Sequence, residues 1–285
     1  MLKSSLYTFS ISIFLMLMTT SGNNKELAEF EGLYSEDDRV LVAAHRGSHD
    51  KHPENSLAAI QESINNQIDI VEVDIRETRD KIPVLLHDES LKRTTGSNLK
   101  IADVDFKELE EIPLLYQNKE TDQRIPSLEE ALIISKNKVI LNLDFKLDDL
   151  QAMKRSYKVV ARLGMENSVI FTVRDLDLIP SLYEINPEIR IMPVAFSWWK
   201  INQVIKYDFL DIIQLYHRPY GSININRLKS NDFEVWVNAL KKYDRLEIEQ
   251  KNGFENLLNI KKVNVIQTDH PEKLLSFLRE KGLHD

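Results

Sequence analysis

The 285-residue chain contains no cysteine. That absence removes a disulfide framework, a thiolate zinc site, a cysteine nucleophile and lipid attachment through an N-terminal cysteine. Any metal must therefore be held by carboxylates or imidazoles. A Lys/Arg-rich run is also missing, and 37 Lys+Arg against 45 Asp+Glu leave a formal charge of −8. Such a balance lacks the basic footprint that nucleic acid demands, so nucleic acid is not expected as a partner. No Gly-rich phosphate fingerprint follows the first strand-like run, which makes a doubly wound open sheet the second choice of fold. No low-complexity segment, long linker or duplicated block interrupts the chain after residue 30, so no domain boundary is expected there.

The N-terminus carries Lys3, an apolar stretch from Leu6 to Met18, and then Thr-Thr-Ser-Gly-Asn-Asn. This order reads as a secretory signal over residues 1–22, cleaved after Gly22, with a single domain over residues 23–285. The expected location is secreted or periplasmic. An uncleaved membrane anchor is the alternative, disfavoured because a spanning helix needs about 20 apolar residues.

Beyond the leader, short runs rich in Val and Ile recur: Val40–Ala44, Ile70–Ile75, Val139–Phe145, Ser168–Val173, Ile189–Val194, Asp211–Leu215, Glu234–Asn238 and Val263–Thr268. Their nearly continuous apolar character suits strands buried on both faces of a parallel sheet. Helical pattern separates most of them, as at Asn55–Asn66, Ser127–Ser135 and Asp148–Leu163, and Glu272–Lys281 closes the chain. About eight such units predict a (β/α)₈ TIM barrel. One segment departs from the pattern. Too few residues separate Ile75 from Val84 for a parallel crossover, which needs at least about 10–12. Val84–His87 must return antiparallel, as a β-hairpin turning near Arg79-Asp80-Lys81, with a small insertion from Glu89 to Arg124 as a lid beside the barrel mouth.

Catalytic groups of a barrel come from the C-terminal ends of its strands. The first strand ends in His45-Arg46-Gly47, which offers an acid/base group, a donor fork suited to phosphate and a residue that permits a sharp turn. Glu72 and Asp74 lie two apart and so share one face of the second strand, where burial of the pair calls for a hard cation such as Ca²⁺ or Mg²⁺. Asp144 and Lys146 repeat the spacing, and the hairpin ends in His87-Asp88. Two imidazoles, three carboxylates, one Arg and one Lys at strand ends are the parts required for metal-assisted cleavage of a phosphate ester.

The ordered series His45-Arg46-Gly47, Pro53-Glu54-Asn55-Ser56, Glu72-Val73-Asp74, Val84-Leu85-Leu86-His87-Asp88, Arg93-Thr94-Thr95-Gly96, Ile125-Pro126-Ser127-Leu128-Glu129-Glu130, Asp144-Phe145-Lys146, Trp236-Val237-Asn238 and Thr268-Asp269-His270-Pro271 resembles the glycerophosphodiester phosphodiesterase family from about residue 40 to the C-terminus. The resemblance implies a barrel with an insertion after its second strand and a divalent cation held by Glu72, Asp74 and Asp144. It also implies His45 and His87 as general acid and base, and Arg46 and Lys146 on the phosphate. Trp236, at the mouth by pattern, would pack against the glycerol or headgroup, with a core position as the alternative. The implied substrate is a small glycerophosphodiester, a deacylated phospholipid split into an alcohol and glycerol 3-phosphate. A neighbouring glycerol hydroxyl would attack phosphorus and water would open the cyclic product. No obligate membrane partner is implied.

Departures from the family pattern concern Asp144, where Glu is usual, Ser56 in place of Thr as a helix cap, Asn66-Gln67 in place of a turn glycine, and Lys261-Lys262 in place of another. Two other functions compete: a phospholipase acting on intact lipids at a membrane surface, for which the loops at Phe196–Trp199 and Pro219–Tyr220 would carry exposed apolar residues, and a non-catalytic ligand-binding barrel. Trp198, Trp199 and Tyr216 either wall a headgroup pocket or pack their loops, and His217 is a candidate headgroup contact. His49 and His52 are read as solvated loop residues, His270 and His284 as surface ones, and Glu54 and Asn55 as braces of the first loop.

Overall fold

The computed structural model describes residues 39–216, 221–259 and 263–285. The leader, His217, Pro219, Tyr220 and the Lys261-Lys262 pair lie outside the described residues. Among the described residues no helix is long and apolar enough to cross a membrane.

The described residues form eleven strands: β1 (Leu41–His45), β2 (Ile70–Glu77), β3 (Pro83–Leu85), β4 (Pro113–Tyr116), β5 (Lys119–Arg124), β6 (Ile140–Phe145), β7 (Val169–Val173), β8 (Arg190–Ala195), β9 (Ile212–Leu215), β10 (Glu234–Asn238) and β11 (Val265–Thr268). Strands β1, β2 and β6 to β11 are parallel neighbours in sequence order, and β1 pairs with both β2 and β11, so the sheet closes on itself. The result is the expected (β/α)₈ barrel. The hairpin is also where the chain arithmetic required it. β3 runs antiparallel on β2 with Ile75 opposite Leu85 and Glu77 opposite Pro83, and Lys81 takes a left-handed φ of 65° in the turn.

Alternation along each strand separates two apolar regions. Val42, Ala44, Val71, Val73, Leu141 and Leu143 face outward into the layer shared with helix residues such as Ile60, Leu128 and Met153. The opposite set, Leu41, Ala43, Ile70, Ile140, Ile170, Met192, Ile212, Trp236 and Val265, fills the lower barrel interior. One layer higher the interior turns polar. Thr172 Oγ1 donates to Asn142 Oδ1 at 2.5 Å, and Gln214 Nε2 donates to Asn238 Oδ1 at 2.8 Å and Gln267 Oε1 at 3.2 Å. Buried polar groups are thus paired on the way up to the mouth.

Caps start the helices where the sequence suggests. Ser56 Oγ accepts from Ala59 N at 3.1 Å at the head of Leu57–Asn65, and Ser127 forms a capping box with Glu130 ahead of Leu128–Ser135. The left-handed turn residue before β2 is Gln67 (φ 59°), one position later than Asn66. The segment 89–124 is a regular substructure: β4 and β5 pair antiparallel, and its Leu91, Ile101, Val104, Leu109 and Leu114 pack with the flanking Val84, Leu86 and Ile125 into a separate apolar core. His284 is corrected as well, because it is buried against Asp69 at the foot of the barrel (Nε2 to Oδ2 2.9 Å) rather than on the surface.

Candidate active site

The first loop brings the chain back over the barrel mouth at close quarters. Gly47 has φ +80°, and a Cβ there would sit 2.8 Å from that of Ala59, so only glycine fits between the loop and its helix. This turn sets Arg46 (φ 56°) with its N–H donating to Glu72 Oε2 at 3.0 Å and its guanidinium 3.1 Å from Asp74 and 2.8 Å from Glu54. Asn55, also left-handed (φ 55°) and buried, grips Asp74 twice: Nδ2 donates to Oδ2 at 2.7 Å, and Oδ1 accepts from the Asp74 N–H at 3.0 Å. The bracing role expected of Glu54 and Asn55 is therefore aimed at the acidic pair.

Glu72, Asp74 and Asp144 each offer an oxygen within 4.8 Å of the others, and all three are buried. Lys146 Nζ lies 2.6 Å from both Asp74 Oδ1 and Asp144 Oδ2. Arg174, just past β7, takes Asp144 in a fork at 2.6 and 2.7 Å. Burial and the like charges of Asp74 and Asp144 push the Glu72 carboxyl well above its ordinary pKa. Burial acts in the same sense on Asp74, but Lys146 and Arg46 outweigh it and hold that carboxyl far below the usual range. On Lys146 burial works to lower the pKa, and Asp144, Asp74 and Glu72 raise it on balance. Glu72 Oε1 is buried without a hydrogen-bond partner, although Oε2 is engaged. An oxygen-only donor set with one orphaned buried carboxylate oxygen fits a hard divalent cation.

Two imidazoles are each bonded to an aspartate, one beside this cluster and one on the hairpin. His45 Nδ1 is 2.6 Å from Asp269 Oδ1, and its Nε2 points across to Glu72 Oε2 at 4.0 Å. His87 Nδ1 is 2.6 Å from Asp88 Oδ1. Burial raises the Asp269 carboxyl, yet the His45 bond and the charges of His45, His49 and His270 bring it below its ordinary value. Arg93 ties the hairpin to the barrel, with Nε on Asp88 at 2.6 Å and its two terminal nitrogens on Glu54 at 2.6 and 2.8 Å. An ionic thread thus runs from His87 through Asp88, Arg93, Glu54 and Arg46 to Asp74. A depression of about 570 Å³ lined by Arg76, His87, Asp88 and Arg93 opens beside the second imidazole.

Six of the eight expected site residues therefore converge: His45, Arg46, Glu72, Asp74, Asp144 and Lys146. His87 is linked to them through Asp88, Arg93 and Glu54. Trp236 does not join them. It is 0% exposed in the lower barrel interior, with its indole N–H donating to Gln267 Oε1 at 3.1 Å, because it lies two residues before the end of β10 and so one layer below the mouth. His49 is closer than expected, with Nε2 3.8 Å from Asp269 Oδ1. Arg174, Asp269 and Asp88 were given no role by sequence reasoning. Their signal was position: Arg174 and Asp269 directly follow the ends of β7 and β11, and Asp88 comes three residues after the end of β3.

Residues 45–272 match the model of the glycerophosphoryl diester phosphodiesterase family. Over 272 residues the chain is 26% identical to lysophospholipase D GDPD1 of Homo sapiens, covering 82% of this chain and 85% of the human one. A solved glycerophosphoryl diester phosphodiesterase of Parabacteroides distasonis superimposes with a TM-score of 0.77 at 24% identity, covering 89% of this chain and 91% of that one. A phosphodiesterase of Oleispira antarctica, solved with the product sn-glycerol-3-phosphate, gives 0.71 at 22% identity over 88% of this chain and 99% of that one. The solved structures speak for the fold, and the match over most of the chain speaks for descent: this chain is a phosphodiesterase that belongs to the glycerophosphoryl diester phosphodiesterase family.

Proposed function

We propose that the chain is a metal-dependent glycerophosphodiester phosphodiesterase that hydrolyses deacylated phospholipids to an alcohol and sn-glycerol 3-phosphate, with His45 and His87 as acid and base. The observation that carries this reading is the meeting of the Glu72, Asp74 and Asp144 oxygens with the His45–Asp269 pair, to which ion pairs through Arg93 and Glu54 link the His87–Asp88 pair. Product binding in the related Oleispira antarctica structure supports the substrate class.

The geometry supports the following roles. Asp269 and Asp88 occupy the Nδ1 side of each ring, which leaves Nε2 of each for proton transfer. One imidazole takes the proton of the attacking hydroxyl and the other gives a proton to the leaving alkoxide. Arg46, Lys146 and Arg174, now tied to the carboxylates, supply the positive charge for the phosphate oxygens. A divalent cation on Glu72, Asp74 and Asp144 would add further charge stabilisation to those oxygens. We place the protein outside the cytosol on the strength of its N-terminal segment.

A second reading, action on lipids that keep an acyl chain, is favoured by one observation. Trp198 and Trp199, which open the helix Trp198–Val204 after β8 beside Phe196, are 65% and 59% exposed, and Ile223, in the first turn of the helix Ser222–Lys229 after β9, is 84% exposed. Both readings are tested by purified protein with Ca²⁺, Mg²⁺ or EDTA and a panel of glycerophosphodiesters and lysophospholipids. Metal-dependent release of sn-glycerol 3-phosphate from the deacylated substrates is expected. Turnover confined to lysophospholipids would transfer the conclusion to the second reading, and release untouched by EDTA would remove the metal.

A further inference from the structure

Asp244 is a buried carboxylate that the mechanism above does not use, and three costly features of the chain converge on it. It stands in the first turn of the helix Lys242–Gln250, only 4% exposed. Its oxygens are taken by neutral donors: Oδ1 accepts from Thr268 Oγ1 at 2.5 Å, and Oδ2 accepts from the Asp269 N–H at 3.0 Å. Burial pushes its pKa upward, as expected for a carboxylate held by neutral groups.

The second costly feature is the turn that delivers it. Lys241 has φ 66° and ψ −70°, and the Lys242 N–H donates to Leu240 O at 2.8 Å. This is a γ-turn of the strained hand, rare for a residue with a Cβ. It lets the helix start three residues after β10, with the N–H groups of Tyr243 and Asp244 both on Ala239 O at 3.0 Å. The third is Gly253, where a Cβ would fall 1.9 Å from Tyr243 O and 2.6 Å from Glu247 N, so the next helix seats its backbone directly on this one.

All three fix one object, the turn after β11. Asp244 holds Thr268 by its hydroxyl and Asp269 by its peptide, and Thr268 Oγ1 in turn accepts from the His270 N–H at 3.0 Å. The side chain of Asp269 is thereby aimed at His45 Nδ1, 2.6 Å away. We infer that Asp244 is a positioning residue of the reaction, acting on His45 only through the orientation it imposes on Asp269. This inference rests on the reading of His45 as a catalytic group.

A double-mutant cycle tests it, using the glycerophosphodiester turned over fastest in the panel above. Asp244→Ala should lower kcat about 10- to 100-fold with KM within about twofold. Asp244→Asn, which keeps one acceptor, should recover part of that loss. In an Asp269→Ala background, Asp244→Ala should cost less than about twofold, because the group it acts through is gone. Equal losses in both backgrounds, or a loss carried by KM, would overturn the inference. Circular dichroism checks folding, and where the alanine variant fails to fold the asparagine variant runs the same cycle. If His45→Ala leaves kcat intact, the catalytic reading fails and takes this inference with it. If His45→Ala abolishes turnover while Asp244→Ala does not lower kcat, this inference alone fails.

Discussion

His45 and His87 each meet an aspartate through Nδ1 at 2.6 Å, yet the barrel wall holds the first and the excursion after β2 holds the second by different means. In the wall, the partners come from strands at opposite ends of the chain, 224 residues apart, and they meet only because β1 and β11 close the barrel. The His45 side chain is 15% exposed and its aspartate is braced from behind by Asp244. In the excursion the partners are adjacent in sequence, the His87 side chain is 38% exposed, and the brace is the ionic thread through Arg93 to Glu54. Similar geometry therefore rests on hydrogen bonds from neutral donors to one buried carboxylate in the first region and on solvent-facing ion pairs in the second. The first is rigid and insensitive to salt, and the second is adjustable and screened.

The sharpest way to break this comparison is to remove the rings. His45→Ala and His87→Ala should each lower kcat by about 10²–10⁴-fold, the range of a general acid or base. Steady-state kinetics at saturating substrate checks this, and a loss below tenfold in either variant would end the symmetry of the two pairs. The next effect separates them. Asp269→Asn should cost about 10- to 100-fold, comparable to the loss of other groups that orient a reacting ligand. Asp88→Asn should cost several times less, since the His87 ring it holds is 38% exposed against 15% for His45, and water can stand in for its partner.

A smaller effect sharpens the contrast in support. Arg93→Ala should lower kcat about two- to fivefold, the scale of an exposed ion pair. Adding 0.5 M NaCl to the wild type should mimic the substitution and do nothing further to the Arg93→Ala variant. The same salt series on the Asp244→Asn variant should show the full wild-type sensitivity. If instead salt acts equally on Arg93→Ala, the thread is not what holds His87.

What could be read from the sequence follows the same division between local and long-range order. The hairpin was legible because the chain between Ile75 and Val84 is too short for any crossover. The acidic trio was legible because period two fixes a shared face: Asp74 and Asp144 are paired in register across β2 and β6. Depth along a strand has no such signature. Trp236 and Asn238 share a face, but only the register with Val265 and the packing among Ile212, Val265 and Leu41 show that the tryptophan sits in the apolar layer below. Arg174 and Asp269 escaped for another reason, since their partners are set by which strands become neighbours when the barrel closes. The β4–β5 hairpin escaped because Lys119–Arg124 is a mostly polar strand with no apolar rhythm to announce it.

A third histidine–aspartate pair provides the control for the whole comparison. His284 and Asp69 are more buried than either pair at the mouth, with side chains 3% and 5% exposed, and they lie at the foot of the barrel, where Asp69 also accepts from the Val42 N–H at 2.9 Å. Burial works to lower the His284 pKa, but the hydrogen bond and charge of Asp69 raise it above the ordinary histidine value on balance. A raised folded pKa means that the pair's contribution to stability is fully present below the unfolded value of about 6.5 and is lost as pH climbs through the folded one. His284→Asn should therefore lower Tm by about 2–4 °C at pH 6, the equivalent of roughly 1 kcal/mol in a chain of this size, and by less at pH 9. Its kcat should equal that of the wild type at both pH values. A drop in kcat would mean that foot and mouth are coupled through the barrel. An unchanged kcat beside a pH-dependent Tm would separate the structural use of this motif at the foot, where Asp69 joins His284 to β1, from the catalytic use proposed for the pairs of His45 and His87.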